Sequence, residues 1–252
     1  MKISKITLGT VNFGLNYGLR KKKKNKISKK KSILIIKKAI KLGINSFDTS
    51  PNYGNAENIL GKTIRKNSKC SIATKILIPS NKKINFKKIL ISINNSRKNL
   101  NKENLDLIQI HNANERTFKN LKLKDFFLKL KKNKIVKKVG VTVYTEKEAL
   151  AAIKSNWIES IQVPYNLINQ KMNMRVFKLA KKNNIKIYTR STFLKGVLSE
   201  KIIFLPKKLQ IIKNNIEKNL HKLKLNIRDL KYLALKFSIS NSIIDSVVLG
   251  VD

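Results

Sequence analysis

With 252 residues, 42% of them hydrophobic, the chain can bury a core of its own, and wholesale disorder is excluded. Lys and Arg number 56 against 14 Asp and Glu, a net charge of +42, but the lysines run along the whole chain, arginine is the minority cation and aromatics are only 7%. The surplus therefore reads as a compositional bias toward Lys, Asn and Ile, with no specific nucleic-acid partner and no membrane partner expected.

Short apolar, β-branched runs at residues 5–8, 44–48, 71–75, 105–110, 136–142, 160–163, 186–189 and 246–249 read as strands. Helical periodicity at 32–42, 57–65, 86–100, 123–132, 147–155 and 174–183 fills most of the gaps. Two further helices, 209–220 and 227–239, fall between the seventh and eighth strands. Gly43 ends the first helix as a C-cap, and the lysine-rich run 21–31 before it reads as a solvated loop. Strands joined through helices must pair in parallel, and eight of them in this length predict one (β/α)8 barrel domain over 1–252. An open doubly wound sheet would carry a glycine-rich phosphate loop after its first strand. Gly9-Thr10-Val11-Asn12-Phe13-Gly14 lacks that spacing. No apolar run nears the roughly 20 residues of a membrane span. The start lacks a secretory signal, and a single cysteine excludes an internal disulfide and a cysteine-rich metal site, so a cytoplasmic protein is expected.

A barrel of this kind points the C-terminal ends of its strands at the functional mouth. Asp48 ends strand two, Lys75 ends strand three, His111 follows strand four, and Tyr53 lies five residues past Asp48. A phenol with an ordinary pKa near 10 is a weak acid at neutral pH. A neighbouring ammonium is expected to pull that value down, so Lys75, balanced by Asp48, would activate Tyr53. His111 would orient and polarise a carbonyl oxygen beside it. Such a site protonates a carbonyl oxygen while hydride reaches the carbon, and the hydride must come from a nicotinamide. No metal site is expected.

The stretch Gly43-Ile44-Asn45-Ser46-Phe47-Asp48-Thr49-Ser50-Pro51-Asn52-Tyr53-Gly54-Asn55-Ala56-Glu57, followed by Leu60-Gly61, resembles the signature of the aldo-keto reductase family. Leu8-Gly9-Thr10, Ala73-Thr74-Lys75 and Asp106-Leu107-Ile108-Gln109-Ile110-His111 resemble its first, third and fourth strands. Val139-Gly140-Val141-Thr142, Gln162-Val163-Pro164-Tyr165-Asn166 and Arg190-Ser191-Thr192-Phe193-Leu194-Lys195-Gly196 are similar to its next three strand ends. The resemblance implies a catalytic tetrad of Asp48, Tyr53, Lys75 and His111. It implies cofactor contacts from Gly9, Thr10, Asp48, Thr142, Gln162, Arg190, Ser191, Phe193 and Gly196. Within that set Thr142 and Gln162 would hold the nicotinamide carboxamide, Arg190 would stack on its ring, and Ser191, Phe193 and Gly196 would wrap the pyrophosphate.

The implied activity is reduction of an aldehyde or ketone, a small-molecule carbonyl, by NADPH, with NADH also possible. The wording from Arg190 to Gly196 looks most like members that serve sugar-nucleotide and polysaccharide synthesis, which points to sugar-derived substrates. Two departures stand out. Val143 replaces an Asn that often grips the carboxamide, a loss of about 0.5–1.5 kcal/mol. The sequence also stops at Asp252, short of the loop and helix that in the family cover the barrel seam and bind the 2′-phosphate, so either the sequence is partial or the adenine end is weakly held. A nucleotide-sensing regulatory barrel and a basic nucleic-acid-binding protein on the same fold are the alternatives.

Overall fold

The structure, a computed structural model, describes residues 2–19, 27–64, 69–79, 84–172 and 175–251. Arg65 and Met174 of the expected helices, and residues 21–26 of the lysine-rich run, lie outside them. Eight strands form a closed parallel barrel in chain order: β1 (Ile6–Gly9), β2 (Ser46–Asp48), β3 (Ser71–Leu77), β4 (Leu107–His111), β5 (Val139–Thr142), β6 (Ser160–Pro164), β7 (Lys186–Arg190) and β8 (Ser246–Gly250). Closure comes from β8 pairing β1, with Ile6 opposite Val247 and Gly9 opposite Gly250. The helices are α1 (Val11–Gly14), α2 (Lys29–Lys41), α3 (Ala56–Thr63), α4 (Phe86–Asn99), α5 (Glu115–Lys119), α6 (Leu121–Lys132), α7 (Glu146–Lys154), α8 (Arg175–Lys182), α9 (Gln210–Lys222) and α10 (Asp229–Ser240).

The expected strands are all present with shifted ends: β2 and β5 start later than expected, while β3, β6, β7 and β8 run one or two residues further. Residues 105 and 136, expected as strand, form only an isolated parallel bridge ahead of β4 and β5. Two short helices, α1 and α5, escape a periodicity reading because neither spans two turns. Gly43 adopts φ +83 just past α2, the left-handed backbone expected of a helix-ending glycine. The chain's abundant Asn serves as helix punctuation. Asn85, Asn114 and Asn120 accept the N–H of Lys88, Thr117 and Leu123 at the starts of α4, α5 and α6, each cap worth about 1 kcal/mol.

The main core lies between the strands and the helices, where Phe47, Ile72, Ile108, Ile110, Val141, Ile161 and Ile187 meet Ile36, Leu60, Ile93, Phe127 and Phe177. Alternate residues of each strand turn inward. The inside is small and polar low down: Thr7 bonds Ser46 at 2.8 Å and Ser246 at 2.6 Å, and Ala73, Leu107 and Tyr188 form a separate buried group.

The lower rim is fastened by one device used four times. The residue just before each even-numbered strand accepts the backbone N–H of the preceding odd strand or its lead-in. Asn45 takes Ser4, Asp106 takes Ile72, Glu159 takes Val139 and Asp245 takes Ile187, at 2.8–3.1 Å. The three carboxylates also gather lysines, with Lys102 and Lys137 on Asp106, Lys131 on Glu159, and Lys181 and Lys186 on Asp245.

At the upper rim, α1 presses on the loop that carries Tyr53. A methyl group at Gly14 would lie 1.7 Å from the Tyr53 carbonyl oxygen, so nothing larger than hydrogen fits there. Gly14→Ala should destabilise the fold by about 1–3 kcal/mol, the usual range for overpacking, and should displace the Tyr53 loop. Urea denaturation reads the first effect. Loss of the Tyr53 ring resonance shifts by NMR reads the second, and an unchanged Tyr53 environment would contradict this contact.

Candidate active site

Asp48, Tyr53, Lys75 and His111 converge at the upper mouth, each delivered by the fold element expected of it. Asp48 and Lys75 are inward residues of β2 and β3, both buried. Their side chains form an ion pair at 2.6 Å, and the Lys75 ammonium also donates to the Thr49 carbonyl at 2.9 Å. The same ammonium lies 5.1 Å from the centre of the Tyr53 ring, over its face. The other carboxylate oxygen of Asp48 accepts the Gln162 amide at 2.8 Å, and that amide also reaches the Gln109 side-chain oxygen at 3.2 Å. His111, half-buried at the end of β4, shares a 2.8 Å hydrogen bond between Nδ1 and the Thr142 hydroxyl.

The electrostatics correct one expectation. The Tyr53 phenol is pushed up above its ordinary value, first by burial and next by the Asp48 charge, with Tyr17 and Tyr144 adding in the same sense. Arg190 opposes them, but Lys75 does not lower the phenol. The geometry gives the reason. The ammonium sits over the ring face, and its charge is already matched by Asp48. Tyr53 is therefore a protonated phenol at neutral pH. Lys75 itself is shifted down by burial, against the pull of Asp48. Burial, then Lys75 and Arg190, hold the His111 imidazole below its ordinary value, so it is neutral at pH 7.

The remaining expected positions spread around the same mouth. Gly9 pairs with Asp48 across β1 and β2, and Thr10 donates both its N–H and its hydroxyl to the Asp48 carbonyl at 3.0 Å. Arg190 closes β7, with Cζ 4.3 Å from the centre of the Tyr144 ring. Ser191, Leu194, Lys195 and Gly196 all take positive φ, which coils the loop after β7 tightly. Phe193 packs on a satellite apolar cluster around Leu198, Leu220, Leu230 and Ala234, anchoring that loop from behind.

Three participants were not singled out from the sequence. Gln109 is a polar residue two positions before His111 in an apolar strand, and that parity marks it as inward. Tyr144 stands two residues past Thr142. Tyr17, partly covered by Lys195 at 5.3 Å, belongs to the loop after α1, whose Leu19 N–H bonds the Lys195 carbonyl at 2.7 Å.

Polar atoms left over at the mouth indicate what it could hold. The Gln162 carbonyl oxygen takes no bond from another described residue. Arg190 Nη2 and the Thr192 hydroxyl are buried without partners. A carboxamide offers a donor for the Gln162 oxygen, and a planar ring can lie against the Arg190 guanidinium, so the residues present fit a nicotinamide. Thr142 is less free than its expected role requires, being bonded to His111 and to the Asn112 N–H. Among the described residues no group of three or more His, Cys, Asp or Glu comes together to hold a metal ion, and no helix is long and apolar enough to cross a membrane.

The protein is a (β/α)8 barrel whose mouth gathers a carboxylate, an ammonium, a phenol and an imidazole. The chain belongs to the aldo/keto reductase family, whose sequence pattern it matches over residues 5–250. It is 28% identical over 190 residues to the aldo-keto reductase YhdN of Bacillus subtilis, a match covering 69% of this chain and 55% of that protein's length. Among solved structures it is similar to an aldo-keto reductase of Bacillus halodurans in its holo form (TM-score 0.77, 20% identity, 99% of this chain and 82% of that one). It is also similar to a glycerol dehydrogenase of Gluconobacter oxydans (TM-score 0.72, 20% identity, 99% and 83%). At such identities the structures speak for the fold alone.

Two predictions follow from the buried charges and phenols. Lys75→Met leaves Asp48 without its cation and should cost about 3–5 kcal/mol, while the double variant Asp48→Asn, Lys75→Met should recover much of it. Chemical denaturation of both separates a paired charge from a lysine that merely fills space. Inside the barrel, Tyr188 is pushed up to about 12, first by burial and then by Asp245 and Asp48. A phenol raised on folding stabilises fully below its unfolded value near 10 and loses that contribution as pH rises toward 12. Stability should therefore fall from about pH 10 upward, and Tyr188→Phe should flatten part of the fall. Parallel profiles for the two proteins would exclude Tyr188 as a source.

Proposed function

We propose that the chain is a single-domain NAD(P)H-dependent reductase of aldehydes or ketones, sugar-derived carbonyls among them, with Tyr53 as proton donor and NADPH as the preferred cofactor. The observation that carries the reading is the Asp48–Lys75 pair at 2.6 Å set against the face of a protonated Tyr53. The cofactor preference is that of the resembling family.

A reduced nicotinamide, when bound, supplies hydride to the carbonyl carbon. The chain's own residues handle the oxygen. As hydride forms a C–H bond at the carbonyl carbon, the π pair of the C=O moves to oxygen, and the Tyr53 O–H donates its proton there. The raised pKa of Tyr53 does not forbid this, because an alkoxide is a far stronger base than any phenolate and the transfer runs downhill. The phenolate left behind faces the Lys75 ammonium across the ring and is reprotonated from solvent. Neutral His111, its Nδ1 tied to Thr142, is set to orient the substrate oxygen by its other nitrogen without adding a charge. Gln162 and Arg190 would hold the carboxamide and ring, and the coiled loop from Ser191 to Gly196 the pyrophosphate.

Tyr53→Phe tests this directly. Turnover of a generic aldehyde such as 4-nitrobenzaldehyde should fall by about 10²–10⁴-fold, while NADPH affinity by fluorescence titration stays close to that of the parent. Retention of a tenth or more of the parent rate would remove Tyr53 from the donor role.

A further inference from the structure

The charge at the mouth does not balance. Lys75 is matched by Asp48, His111 is neutral and Tyr53 keeps its proton. Arg190 remains, and among the described residues no carboxylate pairs with it. Of its guanidinium nitrogens, Nη1 makes a 3.3 Å contact to the Ser191 hydroxyl, and Nη2 is buried without any acceptor. A guanidinium stays charged at any ordinary pH and carries five donors. Burying one of its N–H groups without a protein acceptor is costly unless a bound molecule supplies one.

Position and orientation narrow what that molecule is. The Arg190 charge acts on Tyr53, Lys75 and His111 alike, so the guanidinium stands with the proton-handling groups. Its Cζ lies over the Tyr144 ring, 4.3 Å from the ring centre. A guanidinium held by its face offers its edge, and an edge of parallel N–H donors matches a carboxylate or phosphate. Lys195, over Tyr17, adds a second positive charge at the rim. Glu57, the other carboxylate that acts on Lys75, is occupied behind β3, accepting Thr74 at 2.6 Å and Asn99 at 3.2 Å.

We propose that Arg190, oriented by Tyr144, is a specificity residue that selects carbonyl substrates carrying an anionic group, a carboxylate or a phosphate, near the reacting carbonyl. This rests on the reductase reading above. Stacking on the nicotinamide uses the free face of the guanidinium and anion binding uses its edge, so the two roles are compatible in geometry.

Matched substrate pairs test it at 0.15 M salt. One pair is 4-carboxybenzaldehyde and its uncharged amide, 4-formylbenzamide, and the other is glyceraldehyde 3-phosphate and glyceraldehyde. The parent should favour the anionic member of at least one pair by about tenfold or more in kcat/KM, as expected for one charge-assisted hydrogen bond. The pair that shows it tells carboxylate from phosphate. In Arg190→Gln the preference should collapse toward unity, whereas in Lys124→Gln, a change in the outer helix α6, it should persist. Equal loss on both members of each pair in Arg190→Gln would assign Arg190 to the cofactor alone and overturn the proposal. So would a parent with no preference.

Calorimetric binding of the carboxylate and the amide, without cofactor, separates this idea from the reductase reading. A parent that turns over no aldehyde but binds the carboxylate through Arg190 would sink the reductase reading and keep the anion site. Failure to prefer the anionic member of either pair, in binding and in turnover, would sink the anion site.

Discussion

The mouth of this barrel depends on the pairing of one carboxylate. Asp48 has almost no contact with water, and a charge so placed must be matched or it unfolds its surroundings. Its two oxygens are taken by groups from opposite sides of the barrel, the Lys75 ammonium from β3 and the Gln162 amide from β6. That pairing fixes three strands relative to one another and sets the Lys75 ammonium over the Tyr53 ring. It also leaves Gln162 with one free side, its carbonyl, turned to whatever enters. The Gln109 amide lies behind it, so the polar layer continues across the interior before the small hydroxyl layer of Thr7, Ser46 and Ser246 takes over.

Burial decides the protonation states at this mouth more than the neighbouring charges do. It is the leading influence on Tyr53, Lys75 and His111. The outcome is a phenol and an imidazole that are both neutral at pH 7, beside the Asp48–Lys75 pair and a guanidinium, Arg190, with no carboxylate partner among the described residues. Electric fields from the many surface lysines are screened within about 10 Å at moderate salt, so the unmatched charge inside counts for more at the mouth than the surplus outside.

Much of this was legible in the sequence, for physical reasons. Strands separated by helices can only pair in parallel, so the strand order of the barrel followed once the apolar runs were found. Residues at the ends of strands two, three and four had to meet at one rim, which placed Asp48, Lys75 and His111 together. What the sequence concealed depends on side-chain direction over a few ångströms. Proximity of Lys75 to Tyr53 suggested a lowered phenol, but the ammonium lies over the ring while burial and Asp48 act on the hydroxyl. Parity with His111 marks Gln109 as inward, but parity alone does not tell an amide that bonds Gln162 from one that only fills the interior. The helices α1 and α5 are too short to show a period, yet α1 seats the Tyr53 loop through Gly14.

The four fastenings of the lower rim divide the barrel in a way its even strand spacing conceals. Each links an odd strand or its lead-in to the residue that opens the next even strand, so the barrel is stitched as β1 with β2, β3 with β4, β5 with β6 and β7 with β8. Among the described residues the junctions between these couples have no such backbone stitch, the Lys137–Asp106 ion pair being a side-chain link between β4 and the lead-in of β5. A nick or a foreign insertion between β4 and β5 leaves all four fastenings whole, whereas one between β3 and β4 makes a fastening span the break. The smallest self-stitched piece of this fold is thus two strands and the helix between them, and the whole is a ring of four such pieces.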